Sequence, residues 1–184
     1  MPARFTFRRF AWAAVLVNLG VILWGAVVRA TGSGAGCGSH WPLCDGQVVP
    51  PSQAVATLIE YTHRATSGLA LILVAILTFW ALRSFPRLHR VRKAAIASLI
   101  LIFIEALVGA GLVIFHLVED NASPARAVYM GVHLTNTLAL MAALTLTAAW
   151  GEEDGEARWS RGRASALMWG CLVGLVASGI TGAV

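Results

Sequence analysis

Two short stretches of this sequence set titratable side chains in apolar surroundings. They are Thr57-Leu-Ile-Glu60-Tyr-Thr-His63-Arg64 and Ala127-Val-Tyr-Met-Gly-Val-His133-Leu-Thr-Asn136. On a helix, Glu60 and His63 (i, i+3) share a face, and Arg64 falls one turn after Glu60 (i, i+4). Neutral imidazole is a common ligand of haem iron, and helical bundles hold cofactors between facing helices. Two opposed histidines would bind the iron axially, with apolar walls for the macrocycle. The plainer alternative is that each ring hydrogen-bonds a backbone carbonyl and only packs helices. The choice turns on whether the two rings lie at one level.

The elements that must position them follow from composition. Of 184 residues, 58% are hydrophobic and 12% charged, with a mean hydropathy of +0.73. Soluble domains carry about 25% charged residues, so this chain cannot cover a water-facing surface. That excludes an ordinary soluble enzyme, a disordered tail and a nucleic-acid module. Five apolar runs, roughly 10–30, 56–82, 94–118, 127–150 and 164–184, are readable, each near the ~20 residues that cross a hydrocarbon core as a helix. The expected fold is all-α, a polytopic membrane protein. Residues 1–155 would form a four-helix transmembrane bundle, and 156–184 a linker and the first helix of a truncated second half. The first run exceeds the ~7–15 apolar residues of a secretory signal. Val27-Val28-Arg29 at its end offers no small-residue cleavage site.

Lys and Arg in short loops stay on the cytoplasmic side. Arg4, Arg8 and Arg9, then Arg83, Arg87, Arg90, Arg92 and Lys93, then Arg158, Arg161 and Arg163 put eleven of fourteen cations on one side. The amino terminus is therefore expected in the cytoplasm of a plasma-membrane protein, and the second and fourth helices both enter from outside. Each histidine lies about six residues past its helix start, ~9 Å deep at 1.5 Å per residue. Equal depth on parallel helices favours opposed iron ligands. Arg29, Arg64 and Arg126 fall at the outer edge, where haem propionates need cations.

Other side chains are less decided. Glu105 lies near the middle of the third span, on nearly the same face as His116 eleven residues later. A buried acid needs a partner, which leaves proton transfer and an interhelical hydrogen bond both open. His116 reads as interfacial, with a third-ligand role as the alternative. Gly109-Ala110-Gly111 and Asn18 read as close-packing positions, and His89 carries no site. The outer loop, about 31–55, holds Cys37-Gly-Ser-His40-Trp-Pro-Leu-Cys44. On the oxidising side a Cys37–Cys44 disulfide is the first expectation; zinc or copper on Cys37, His40 and Cys44 is the alternative, short of a fourth ligand. Ser123-Pro124 reads as the start of the fourth helix, Gly151–Glu156 as a solvated linker and Cys171 as a packing residue. The last run stops at Val184 without a polar flank, and its small-residue end is like that of the first helix. It reads as cut short inside a second copy of the first four helices.

Taken together, Gly25-Ala-Val-Val-Arg29-Ala-Thr31-Gly-Ser33-Gly-Ala-Gly-Cys37, Trp41-Pro-Leu-Cys44-Asp-Gly46, Pro50-Pro51, Ile59-Glu60-Tyr61-Thr-His63-Arg64 and Val132-His133-Leu134 closely resemble the haem A synthase family. The resemblance runs in order over nearly the whole chain. It implies eight transmembrane helices in two pseudo-symmetric halves, of which this sequence matches the first half and the fifth helix. It implies an oxidoreductase that converts the C8 methyl of haem O into the formyl of haem A, with water as the oxygen source. His63 and His133 then correspond to the histidines that hold the substrate haem, Glu60 to the glutamate that precedes the first of them, and Cys37 and Cys44 to an outer-loop cysteine pair. A carboxylate one turn from His63 suits proton acceptance, or support of developing positive charge, as water attacks. Glu105 departs from the family pattern. The haem b of the second half has no matching positions here, so turnover by this chain alone is not assumed. Implied partners are haem O, membrane lipid, haem O synthase and an electron acceptor; a homo-oligomer stays open and nucleic acid is excluded. Two other classes compete: a bis-histidine haem b cytochrome carrying electrons from quinol, and a structural subunit that binds nothing.

Overall fold

The computed structural model describes residues 2–50, 54–119 and 121–151. The fifth run, Cys171 and the linker beyond Gly151 lie outside the described residues. Four long helices form: α1 Pro2–Ala30, α2 Val55–Ser84, α3 Arg90–Ile114 and α4 Pro124–Trp150, with one 3-10 turn at Ser33–Ala35 and no strand among the described residues. All four are long and apolar enough to cross a membrane. Burial runs opposite to that of a soluble protein. Leu16, Leu23, Phe79, Leu107 and Val128 are more than half exposed, whereas Asn18, Thr78, Ser98 and Thr147 are buried. Apolar side chains outside and satisfied polar ones inside are what a lipid-facing bundle requires, and the chain is a multi-pass membrane protein.

Helix ends follow local chemistry more than hydropathy. α1 begins ahead of its apolar run because arginine is a good helix former and the Arg4–Arg9 segment continues the helix beyond the span. Ser123 accepts a hydrogen bond from the Arg126 N–H (3.3 Å) and Pro124 opens α4, an N-cap followed by a proline that has no N–H to lose. α3 stops at Ile114, short of the end of its apolar run, because His116 adopts a left-handed backbone (φ 53°) that no helix can continue. His89 caps α3, its Nδ1 accepting from the Val91 N–H (3.3 Å).

The helices pack in a ring, α1 against α2, α2 against α3, α3 against α4 and α4 against α1, with little or no contact across the diagonals. Their close-packed core lies at one end. Phe7 stands edge-on to Trp80 and Phe85 (centroids 5.7 and 5.1 Å apart), and Val74, Leu77, Val91, Ile102, Leu140 and Leu144 fill the layers above. The core draws on α1 up to Val15, α2 from Ala70, α3 up to Ile102 and α4 from Leu140. His63, Glu105 and His133 therefore sit just outward of its last layer. Thr78 ties the core laterally, its hydroxyl lying 2.9 Å from the Ala95 carbonyl oxygen of α3.

The outer loop between α1 and α2 is clasped onto α2. Cys37 and Cys44 form the disulfide. The Cys37 N–H donates to Glu60 Oε2 (2.7 Å), and Arg64 donates to Glu60 Oε1 through Nε (3.0 Å) and Nη2 (2.5 Å). Arg64 Nη1 reaches the carbonyls of His40 (2.5 Å) and Leu43 (2.7 Å). Gly36 lets the loop approach: a Cβ there would overlap the backbone of Ala56 and Thr57. Its φ of −60° is open to any residue, so closeness alone demands glycine. Gly36→Ala is expected to destabilise by about 1–3 kcal/mol through overpacking. Gly20→Ala, where a Cβ meets nothing within 4 Å, is expected to be neutral or mildly stabilising. Arg64→Ala strands a carboxylate that is 4% exposed and should cost about 3–5 kcal/mol. Thermal unfolding in detergent checks all three; wild-type stability in Arg64→Ala would show that the clasp does not hold the loop.

Candidate functional site

His63 is the ninth residue of α2 and His133 the tenth of α4. At 1.5 Å per residue they lie about 12 and 13.5 Å below the helix starts. That is deeper than the sequence suggested, because both helices begin before their apolar runs, yet the two depths agree within one residue. α2 and α4 are diagonal partners in the ring. Neighbouring axes ~8–10 Å apart put diagonal axes at roughly 11–14 Å. Each ring rests beside a glycine of an adjacent helix. A Cβ on Gly25 of α1 would come within 3.0 Å of His63 Cε1, and one on Gly109 of α3 within 3.8 Å of His133 Cε1. Nδ1 of each ring is buried with no hydrogen-bond partner.

Glu60 and Arg64 belong to the clasp just described. Four of the five N–H donors of Arg64 are engaged there, leaving one for any ligand. Arg126 Nη1 donates to the Asn121 carbonyl (2.6 Å), and its Nε is buried without a partner. Arg29 is exposed in the last turn of α1. His116 is exposed on the turn after α3, its carbonyl accepting from Asn121 Nδ2 (2.8 Å). The zinc or copper alternative at the outer loop fails because the two sulfurs are bonded to each other. Among the described residues no group of three His, Cys, Asp or Glu is placed to hold a metal ion.

One constellation was only half legible. Glu105, read as either a proton carrier or an interhelical tether, meets α4 through three residues. Asn136 Nδ2 donates to Oε2 (2.5 Å), the Thr137 hydroxyl makes a very short contact with Oε1, and His133 Nδ1 lies 3.3 Å from Oε1. That last distance is an ion-pair separation, not aligned as a hydrogen bond. The spacing His133, Asn136, Thr137 (i, i+3, i+4) is the signal that could have found it, since it places all three on one helix face. Gly25, set against His63 across 38 residues of sequence, left no such trace.

Residues 8–184 match the family described as cytochrome oxidase assembly protein, COX15-CtaA. The chain is 49% identical over all its 184 residues to a protein of Thermus thermophilus named protoheme IX farnesyltransferase, of which the match covers 30%. It is 37% identical over 151 residues to the heme A synthase of Alkalihalophilus pseudofirmus, covering 80% of this chain and 48% of that one. It is likewise 37% identical over 132 residues to the heme A synthase of Geobacillus kaustophilus, covering 72% and 40%. The chain thus spans less than half the length of each of these relatives. With a family match over almost every residue and an ordered series of shared motifs, this chain belongs to the COX15-CtaA, or haem A synthase, family.

Proposed function

We propose that this chain is the substrate half of a haem A synthase, holding haem O between His63 and His133 and oxidising its C8 methyl to a formyl group with water as the oxygen source. The observation that carries the reading is the pair of imidazoles at one level on diagonal helices, immediately beyond the packed core. The donor set suits the ligand: each ring packs beside a glycine of an adjacent helix, and Nδ1 of His63 and Nε of Arg126 are buried without partners within the protein. Arg29, Arg126 and the remaining N–H of Arg64 meet the propionates at the outer edge.

Taking a methyl to a formyl group consumes one water and releases four protons and four electrons. The four electrons would leave to an external electron acceptor, and the haem b expected in a second half, which 156–184 would begin, would supply one-electron relay on that route. The chain's own residues bind, orient and move protons. Glu60, one turn before His63, keeps a lone pair on Oε2 beyond its bond from Cys37 and accepts a proton as water adds. The disulfide-closed loop clasped to Glu60 and Arg64 lies over this end of the bundle and limits access of bulk water. The arginine-rich end carrying Arg87, Arg90 and Lys93 faces the cytoplasm across the plasma membrane. The relative named for farnesyl transfer to protohaem supports a haem O synthase as the partner that supplies substrate.

Glu60→Gln, which keeps an acceptor for the Cys37 N–H, and Glu60→Ala in the full-length protein are expected to retain haem yet lose haem A production by about 10²-fold or more. Full production in both variants would reject the assignment of Glu60. Mass analysis of porphyrins extracted from the wild type should find hydroxylated or formyl haem. Protohaem alone would point instead to an electron-carrying cytochrome, and absence of Soret absorbance to a subunit that binds no haem.

A further inference from the structure

The two imidazoles are not equivalent. On α4, His133, Asn136 and Thr137 turn one face toward Glu105 of α3. Asn136 Nδ2 uses its two hydrogens on the Leu101 carbonyl (2.9 Å) and Glu105 Oε2 (2.5 Å). Asn136 is thereby fixed to α3 and fixes the carboxyl group in turn. The Thr137 hydroxyl touches Oε1 and also lies 2.9 Å from the His133 carbonyl, so it bridges the carboxyl group to the backbone of the histidine itself. What is left on Oε1 faces His133 Nδ1 at 3.3 Å, an ion-pair separation. On α2 no carboxylate plays this part. Glu60 bonds Cys37 and Arg64 and not the His63 ring, and the hydroxyls of Thr66 and Ser67 turn to the His63 backbone carbonyl at 3.0 and 2.7 Å, not to the ring. Nδ1 of His63 is buried without a partner.

We propose that Glu105 is a positioning residue that fixes His133 as its Nδ1–H tautomer and so presents Nε2 as the stronger of the two iron ligands, leaving His63 the weaker. This rests on the reading of His63 and His133 as haem ligands. The physical basis is general: a metal-binding histidine whose other ring nitrogen donates to a carboxylate is held in one tautomer and orientation and is a more basic ligand. Glu105 acts through His133 and need not touch the haem. Two unequal ligands suit a substrate that has to be bound firmly yet released after reaction, with His63 the side that lets go first.

The test uses the chain purified in detergent without haem and then titrated with ferric protohaem. Nitrogen NMR of His133 in the haem-free protein reads the tautomer directly, and Soret titration and the midpoint potential read its consequence. Glu105→Ala is expected to mix the two tautomers, weaken haem binding about 10–100-fold and raise the midpoint potential, because a less basic ligand stabilises ferric iron less. Glu105→Gln keeps an acceptor oxygen but no charge; it should recover most of the Nδ1–H tautomer and part of the affinity, with the potential still above that of the wild type. Thr78→Val, isosteric and removing an interhelical hydroxyl contact to the Ala95 carbonyl that does not touch Glu105 or His133, should leave tautomer and potential near wild type. His133→Ala should lose more haem affinity than His63→Ala. A wild-type tautomer and potential in both Glu105 variants would overturn the proposal, as would effects of equal size in Thr78→Val, which would trace the change to general loosening of the bundle. Failure of the wild type to bind protohaem, with the tautomer still governed by Glu105, would overturn the haem-ligand reading while leaving the Glu105–His133 coupling in place.

Discussion

In hydrocarbon a polar side chain without a partner is expensive, and that constraint organises this bundle. With lipid outside, burying leucine in the interior gains little over leaving it against acyl chains, so polar contacts and close packing must hold the helices. Thr78 reaches across from α2 to α3, Asn136 from α4 to α3, and Glu60 and Arg64 tie the outer loop to α2. Where the other buried side-chain nitrogens and oxygens of the described residues are bonded, the unpartnered ones stand out. Among the described residues the buried side-chain atoms in that state are Nδ1 of His63, Nε of Arg126 and Nδ1 of His133. All belong to the half of the bundle that carries the disulfide loop, where the proposed haem site lies.

The division of the bundle into two ends makes that possible. At the arginine-rich end, aromatic and branched side chains close the ring of helices to a solid core. Beyond Ala70, Ile102 and Leu140 the core residues give way to histidine, glutamate and small residues, with Gly25 and Gly109 backing the two rings. A rigid base lies beneath an upper storey in which Gly25 and Gly109 let the two imidazoles pack closely on the neighbouring helices. The disulfide and the Glu60–Arg64 clasp do the same for the loop above, so the candidate site is framed on the sides by helices and on top by a cross-linked segment.

Much of this was legible in the sequence because membrane spans obey strong rules. Length and hydropathy gave the four helices, and the spacing of His63 and His133 from their helix starts gave their common depth to within one residue. The cysteine pair was legible from spacing and compartment. The rest depended on contacts between distant residues. That Cys37 would place its N–H on Glu60 requires Gly36 to bring the loop against α2, which no periodicity encodes. The engagement of Arg64 with the carbonyls of His40 and Leu43 is likewise set by the loop path, and it leaves fewer donors for a propionate than its position suggested. The partners of Glu105 were hidden for the same reason, although the spacing of His133, Asn136 and Thr137 on one face was there to read.

The central claim is that His63 and His133 approach one iron from opposite sides. Electron paramagnetic resonance of the ferric haem bound to the purified protein measures this most directly, because the spin state reports the number of strong axial ligands. The account predicts a low-spin signal of bis-imidazole type that turns high-spin when either histidine is replaced by alanine. A high-spin signal in the wild type, or a low-spin signal unchanged by both replacements, would contradict it.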